Sequence, residues 1–171
     1  MDIQENIVNK VAQSGLISFD LADLHPKEER VLYDIKDNLF HGIILKEKDF
    51  REFLKVHDWE QYKGKNVAII CSADAIVPTW AYMLIASKLA NNAHFFVFGD
   101  LDLLETTLYL NKLDQLNVEQ YKDQRLVIKG CGDIEIPTAA FMAITAKLIP
   151  IAKSVMYGEP CSTVPVYKRK D

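Results

Sequence analysis

A tetrapeptide that occurs twice constrains the fold of this chain more than any other feature of its sequence. Glu-Gln-Tyr-Lys stands at 60–63 and again at 119–122, so the two copies are offset by 59 residues. When this offset is kept without gaps, 60–100 aligns with 119–159 and 15 of 41 positions are identical. Two copies are too few for a solenoid, so they predict two similar supersecondary units.

Each copy has the pattern of a strand, a helix and a second strand. The short apolar runs 67–70 and 126–128 are typical of buried strands. After a short loop, Pro78 or Pro137 suits the first position of a helix, and apolar residues then recur at helical spacing. A glycine ends each returning strand. The alternation predicts parallel strands joined by helical crossovers.

The flanking segments extend this α/β pattern. Residues 101–116 read as an amphipathic crossover helix, with Leu103, Leu104, Leu108 and Leu113 on one side. In the N-terminal part we expect helices over 5–15 and 48–57 and strands within 16–21, 29–36 and 42–47. We therefore predict a single three-layer α/β domain over 1–171, with a mainly parallel sheet between helices and an N-terminal antiparallel extension over 1–58.

Composition excludes several classes of partner. The net charge is −4 and the isoelectric point is near 5.6, whereas a nucleic-acid surface needs a basic face. No stretch approaches the roughly 20 apolar residues of a membrane span. The N-terminus lacks the basic and apolar regions of a signal peptide, so we expect a cytoplasmic protein without nucleic-acid or membrane partners.

Three cysteines form the strongest candidate site. Cys71, Cys131 and Cys161 each follow a predicted strand, and parallel strands place their carboxyl ends at one edge of a sheet, where ligands bind. Asp74 and Asp133 stand on two of the same loops. The helices that follow point their N-termini at this edge and favour thiolates. Three thiols with an aspartate could hold zinc or an iron–sulfur cluster.

Two alternatives stay open at this point. Cysteines are often buried and inert, and an aspartate before a helix is often a cap or turn former, so the chain could be a non-catalytic interaction domain with structural cysteines. An enzyme with a thiolate nucleophile at Cys131 or Cys161, acting on an anionic small molecule, is the other alternative. It needs a base near the thiol, and only His25 and His41 are expected within reach.

The loops that carry the cysteines do not have a phosphate-binding pattern. The segments 71–78 and 130–137 match neither GxGxxG nor GxxxxGK[ST], so no nucleotide cofactor is expected.

Three motifs, CSADAIVPTWAYM, KGCGDIEIP and YGEPCSTVPVYKRK, together with DIKDNLFHGIILKEKDFREF upstream, resemble a bacterial family known as domain of unknown function 2480. The likeness covers nearly the whole chain. The family has no established activity, so it carries no catalytic residue over to this sequence. The resemblance implies a link to sulfur-mobilisation (Suf-type) iron–sulfur assembly, with assembly proteins as partners. It thus favours Cys71, Cys131 and Cys161 as metal ligands of an accessory protein.

Overall fold

A computed structural model describes residues 15–130, 132–159 and 161–170. The chain divides into two compact units, and the division falls twice along the chain. Residues 26–108 form one unit, called here the inserted unit. The other, called the outer unit, consists of 1–25 and 109–171. The inserted unit therefore interrupts the outer one in sequence.

The described strands are numbered in chain order. They are β1 (Leu16–Asp20), β2 (Arg30–Asp34), β3 (Asn66–Ile70), β4 (Phe95–Phe98), β5 (Arg125–Lys129), β6 (Ser154–Glu159) and β7 (Ser162–Lys168). The helices are α1 (Glu47–Val56), α2 (Thr79–Leu89), α3 (Leu101–Gln115) and α4 (Thr138–Leu148). Short 3-10 turns follow β1 and β2 and precede β3 and β5.

The inserted unit is a three-layer sandwich around the sheet β2-β3-β4, in which all pairs are parallel. Side chains alternate along the central strand β3, so its two faces meet different helices. Val67 and Ile69 pack in the cluster that contains residues of α1 and α2. Ala68 points to the other face and packs against Leu104 and Leu108 of α3.

The outer unit repeats the strand arrangement of the inserted unit with one additional strand. Its sheet has the order β1-β5-β6-β7, parallel except for the antiparallel pair β6–β7. Leu126 and Ile128 of β5 pack against Ile144 and Leu148 of α4 and against Tyr109 of α3. Helix α3 thus contributes core side chains to both units, and the boundary between them falls within it.

The duplication extends further than the sequence comparison indicated. Helix α1 buries Phe50 and Leu54 against the inserted sheet, and the offset of 59 maps them onto Tyr109 and Leu113, which are buried in the outer unit. The second part of α3 is therefore the counterpart of α1. Identity at these positions is lost because only an apolar side chain is required there.

The predicted α/β class with mostly parallel strands is confirmed, as are the helices expected over 48–57 and 101–116. The described strands form two sheets where the repeat suggested one. Each copy pairs with its own leading strand, β1 with β5 and β2 with β3, and so completes a separate sheet.

The predicted antiparallel extension over 1–58 is wrong. Strand β1 pairs parallel with β5, and β2 pairs parallel with β3. In each case a long connection returns the chain to the end of the sheet where the first strand began, so the two strands run in the same direction. The segment 42–47 is no strand and makes only isolated bridges, Phe40 to Ile44 and Ile44 to Ile76. The antiparallel strand is instead β7, at the C-terminal end. The helix expected over 5–15 falls mainly on residues outside those described.

Two local predictions also need correction. Leu103 is 46% exposed, so it does not share the buried face of α3 with the other leucines of that pattern. Pro78 and Pro137 stand at the position before the first helical residue, with non-helical ψ angles of 141° and 134°. The single domain predicted over 1–171 stays a prediction, because compactness does not decide whether two units unfold together.

Candidate functional site

The carboxyl edge of the inserted sheet is organised by an aspartate at the end of β2. The Asp34 carboxylate accepts hydrogen bonds from the Ser72 amide at 3.1 Å and from the Ser72 hydroxyl at 2.5 Å. It also accepts from the Lys36 amide at 3.0 Å, and the Lys36 ammonium lies 3.4 Å away. Burial alone would raise the pKa of Asp34, but these bonds and this charge outweigh it and lower the pKa.

Ser72→Ala tests this arrangement. The variant should raise the pKa of Asp34 toward its ordinary value of 3.8 and lower the free energy of unfolding at neutral pH by about 1 kcal/mol. Because the folded-state pKa is depressed, the stabilisation is present above the unfolded pKa and is lost as pH falls through the folded pKa. Carboxylate NMR titration and urea unfolding at several pH values measure both effects.

Ser87→Ala is the matched control for that measurement. The Ser87 hydroxyl donates to the Leu84 carbonyl, which does not titrate. The change in the free energy of unfolding caused by Ser87→Ala should therefore not depend on pH. A Ser72→Ala deficit that is the same at pH 3 as at pH 7 would contradict the role given to Asp34.

Cys71 lies beside this carboxylate in a packed environment. Its half-buried thiol donates to the Ala73 carbonyl at 3.5 Å, and its side chain packs against the core of the inserted unit. Tyr82 is close: burial raises the pKa of its hydroxyl, and the charges of Cys71 and Asp34 raise that pKa further. Asp74, on the same loop, is exposed. The observed contacts of Cys71 are those of a packed thiol.

The carboxyl edge of the outer sheet carries a lysine between two carboxylates. The Lys129 ammonium at the end of β5 lies 3.5 Å from Asp20 of β1 and 3.8 Å from Glu159 of β6. Cys161 is exposed between β6 and β7, two residues after Glu159. Cys131 lies outside the described residues. The described part of this edge is therefore charged and accessible.

The surroundings of Gly130 show that the carboxyl edges of the two sheets differ in structure. The repeat aligns it with Cys71, but a Cβ at Gly130 would lie 2.6 Å from Ile136 and 2.8 Å from the ring of Phe141. The aromatic ring therefore occupies the space that a side chain would need. The sequence position of Cys131 accordingly matches Ser72, not Cys71.

The predicted metal ligands fall in different units. Cys71 and Asp74 belong to the inserted unit, whereas Asp133, which is exposed, and Cys161 belong to the outer unit. Within the described residues, no group of three or more histidine, cysteine, aspartate or glutamate side chains is placed to hold a metal ion. The five-residue ligand set stays a prediction, because Cys131 is not among the residues described.

The histidines have structural partners. Burial lowers the pKa of His57, whose ring packs among Tyr33, Trp59 and Tyr62 in the core of the inserted unit. His25 lies 3.3 Å from the Tyr109 hydroxyl. His57 is thus part of an aromatic cluster.

The aspartates at the ends of β1 and β2 were missed by the sequence comparison. The sequence contains a signal for them, because the same five-residue pattern occurs at 19–23 and at 33–37. The pattern is an aromatic residue, aspartate, an aliphatic residue, any residue and a second aspartate. In both copies the first aspartate accepts a hydrogen bond from the amide two residues later and starts a 3-10 turn. The ends of these two short strands therefore form a second internal repeat, with an offset of 14 residues between its copies.

An apolar groove of the outer unit was also missed by the sequence analysis. It has a volume of about 630 Å³ and lies beside α4. The residues that define it here are Phe141, Met142, Thr145, Ile149, Tyr157 and Val166. Met142 is 70% exposed, Val166 51% and Tyr157 43%. The signal was a second apolar stripe at 142, 146 and 149, beside the buried stripe at 140, 144 and 148.

Comparison with known proteins gives one match. The family model described as "Protein of unknown function (DUF2480)" matches residues 5–169. No curated protein and no solved structure matches the chain. No helix of the described part of the chain has the length and apolar character needed to cross a bilayer.

Proposed function

Because this chain belongs to the DUF2480 family of proteins of unknown function, we propose a function from its own geometry: a non-catalytic protein-interaction domain. In this proposal the apolar groove of the outer unit binds the apolar face of a helix from a partner protein. The exposure of Met142, Tyr157 and Val166 around one cavity is the observation that carries the proposal.

Exposed apolar side chains that cluster around a concave surface favour a binding role. Scattered apolar residues are common on protein surfaces, but contiguous apolar patches mark sites of interaction. Here the patch has a helix, α4, on one side and the end of the sheet on the other. The volume of about 630 Å³ lies within the range of ordinary binding sites.

The layer structure of the unit favours a helix as the occupant. A sheet face is normally buried by a packed helix, and α4 packs against Val155 of β6. Val164 and Val166 on β7 are 61% and 51% exposed, so no described helix of this chain covers the last strand. A partner helix lying beside α4 would cover β7 and bury the groove residues, with anchors at helical spacing.

A photo-crosslinking amino acid at position 142 tests the proposal in cells. We expect a discrete adduct with one partner protein, mapped by mass spectrometry to a segment with apolar residues at helical spacing. The corresponding synthetic peptide should bind the purified chain. Thr145→Arg, which places a charge in the groove, should weaken this binding about tenfold or more.

Position 52 on α1 is the matched control, because Glu52 is 61% exposed on a helix of the other unit. The same crosslinking amino acid there should not yield that adduct. An identical adduct from both positions, or a mapped segment without an apolar stripe, would contradict binding at the groove.

We propose thiol chemistry at the carboxyl edges as a second candidate function. It is supported by the exposure of Cys161, which stands two residues after Glu159 of the lysine–carboxylate cluster. In its metal-binding form, Cys71, Cys131 and Cys161, with Asp74 or Asp133, bind zinc or an iron–sulfur cluster for iron–sulfur assembly proteins. In its enzymatic form, Cys131 or Cys161 is a nucleophile toward an anionic small molecule.

Anaerobic purification separates these forms. Metal binding predicts zinc or iron in stoichiometric amount, and its loss in each of the three Cys→Ser variants. The enzymatic form predicts no metal but one thiol that reacts unusually fast at neutral pH. Slow labelling of every thiol in a metal-free protein would contradict both forms and leave the groove as the functional surface.

A further inference from the structure

Among the strands that the structure describes, none pairs with the outer side of β4 in the inserted sheet, although the equivalent edge of the outer sheet is paired. Strand β4 ends the order β2-β3-β4, whereas the equivalent strand β6 is followed by the antiparallel strand β7. The sequence of β4 is Phe-Phe-Val-Phe, without charge or proline. Natural edge strands are usually protected by charges, prolines or bulges, so an unprotected apolar edge indicates a pairing surface.

We propose that two copies of this chain associate by antiparallel pairing of β4 with β4 across a two-fold axis at Val97. The pairing places Phe96 of each copy opposite Phe98 of the other and continues the two inserted sheets into one. It uses the same side of the strand that β7 occupies on β6. The proposal concerns a different unit from the groove and does not depend on the proposed function.

The backbone of β4 is oriented for this pairing. The Gly99 amide donates back to the Ile69 carbonyl of β3 at 2.9 Å. Because backbone groups alternate in direction along a strand, the N–H and C=O groups of Phe96 and Phe98 point away from β3, toward the free edge. In an antiparallel pair, residues opposite each other exchange both hydrogen bonds at such positions. Phe96 and Phe98 form two such pairs about the axis.

The side chains fit the same register. Phe98 is 62% exposed and Phe96 is partly buried, and both lie on the face of the sheet that α2 covers. Residues directly opposite in an antiparallel pair share a face, so each exposed Phe98 ring would lie against Phe96 of the other copy.

The residues that flank β4 favour this register and a second copy of the chain as the occupant. With the axis at Val97, His94 of one copy stands opposite Asp100 of the other, at both ends of the pair. His94 and Asp100 are both exposed. Within β4 itself no charged side chain lies along the pair, so a strand paired with itself here brings no like charges together. A second copy therefore satisfies the edge without any other sequence.

Sedimentation velocity and light scattering on the full chain test the proposal. We expect a concentration-dependent species of twice the 19.5 kDa monomer mass. Phe98→Lys, which adds a charge at the edge, should raise the dissociation constant about tenfold or more. Tyr157→Lys is the matched control, because the repeat places Tyr157 at the same position in β6, already paired with β7. It should leave the dissociation constant unchanged.

Two further variants keep the proposal falsifiable if Phe98→Lys does not fold. His94→Glu, at an exposed position, should also weaken the dimer because it faces Asp100 of the second copy. Val97→Cys in a Cys161→Ser background should form an intermolecular disulfide on oxidation, since Val97 lies on the axis. A chain that stays monomeric at every concentration, or a dimer insensitive to both edge charges, would overturn the proposal.

Discussion

Gly158→Ala should lower the free energy of unfolding by about 3 kcal/mol or more. Gly158 lies in β6 with φ of +116°, a backbone conformation that residues with a side chain rarely adopt. An added Cβ would also lie 2.6 Å from the Ser162 carbonyl oxygen, which belongs to the backbone of β7 and has no freedom to rotate away. Conformational strain and the clash with Ser162 therefore act together on the β6–β7 hairpin.

Gly64→Ala separates these two causes. Gly64 also has a positive φ, +68°, but no atom lies within 4 Å of the position of a Cβ. Gly64→Ala should lower the free energy of unfolding by about 1 kcal/mol, which is the cost of the left-handed backbone conformation alone. Urea unfolding followed by circular dichroism gives both values. Equal losses for Gly158→Ala and Gly64→Ala would show that the close approach of β7 has no energetic weight.

Ile85→Ala and Ile144→Ala should each cost about 2–5 kcal/mol, because both side chains are fully buried at equivalent positions of the two units. If the two units unfold as a single domain, each variant shifts the same transition. We expect this result because α3 places Leu104 in one core and Leu113 in the other. Independent units would instead show two transitions, with each variant moving only one of them.

The tryptophans make this comparison direct. Trp59 and Trp80 both lie in the inserted unit, so fluorescence reports its unfolding, whereas circular dichroism reports the whole chain. Ile144→Ala, in the outer unit, should shift the fluorescence midpoint as much as the dichroism midpoint. Met142→Ala, at a 70% exposed position two residues away, is the control and should shift neither midpoint by an amount comparable to Ile144→Ala.

The elements of the repeat were predictable because they depend on local pattern. Buried strands, crossover helices and their offset of 59 residues follow from apolar periodicity and identity, both of which a single chain displays. The charged cluster of Asp20, Lys129 and Glu159 was only partly predictable. Glu159 was recognisable as the residue after a returning strand, whereas Asp20 enters the cluster through pairing between β1 and β5, which are more than 100 positions apart.

The apolar groove could not be predicted from the sequence either, because it depends on tertiary structure. Helix α4 has apolar residues on more than one face, and the sequence pattern alone is equally compatible with complete burial. Exposure of Met142 and Ile149 depends on where β7 lies relative to α4, and that position depends on the antiparallel pairing of β7 with β6. The three thiols could be placed after strands, but not in a common site, because that step requires knowing which strands share a sheet.

The amino-acid pattern by itself determines that this chain is an α/β protein built from duplicated strand–helix–strand segments, because periodicity and internal identity are local properties. Tertiary pairing determines how many sheets these segments form, which side chains meet at each carboxyl edge, and which apolar residues remain exposed. The physical reason is that strand pairing is a choice among distant partners of similar local character. In this chain β1 pairs with β5 and β2 with β3, so each copy completes its own sheet.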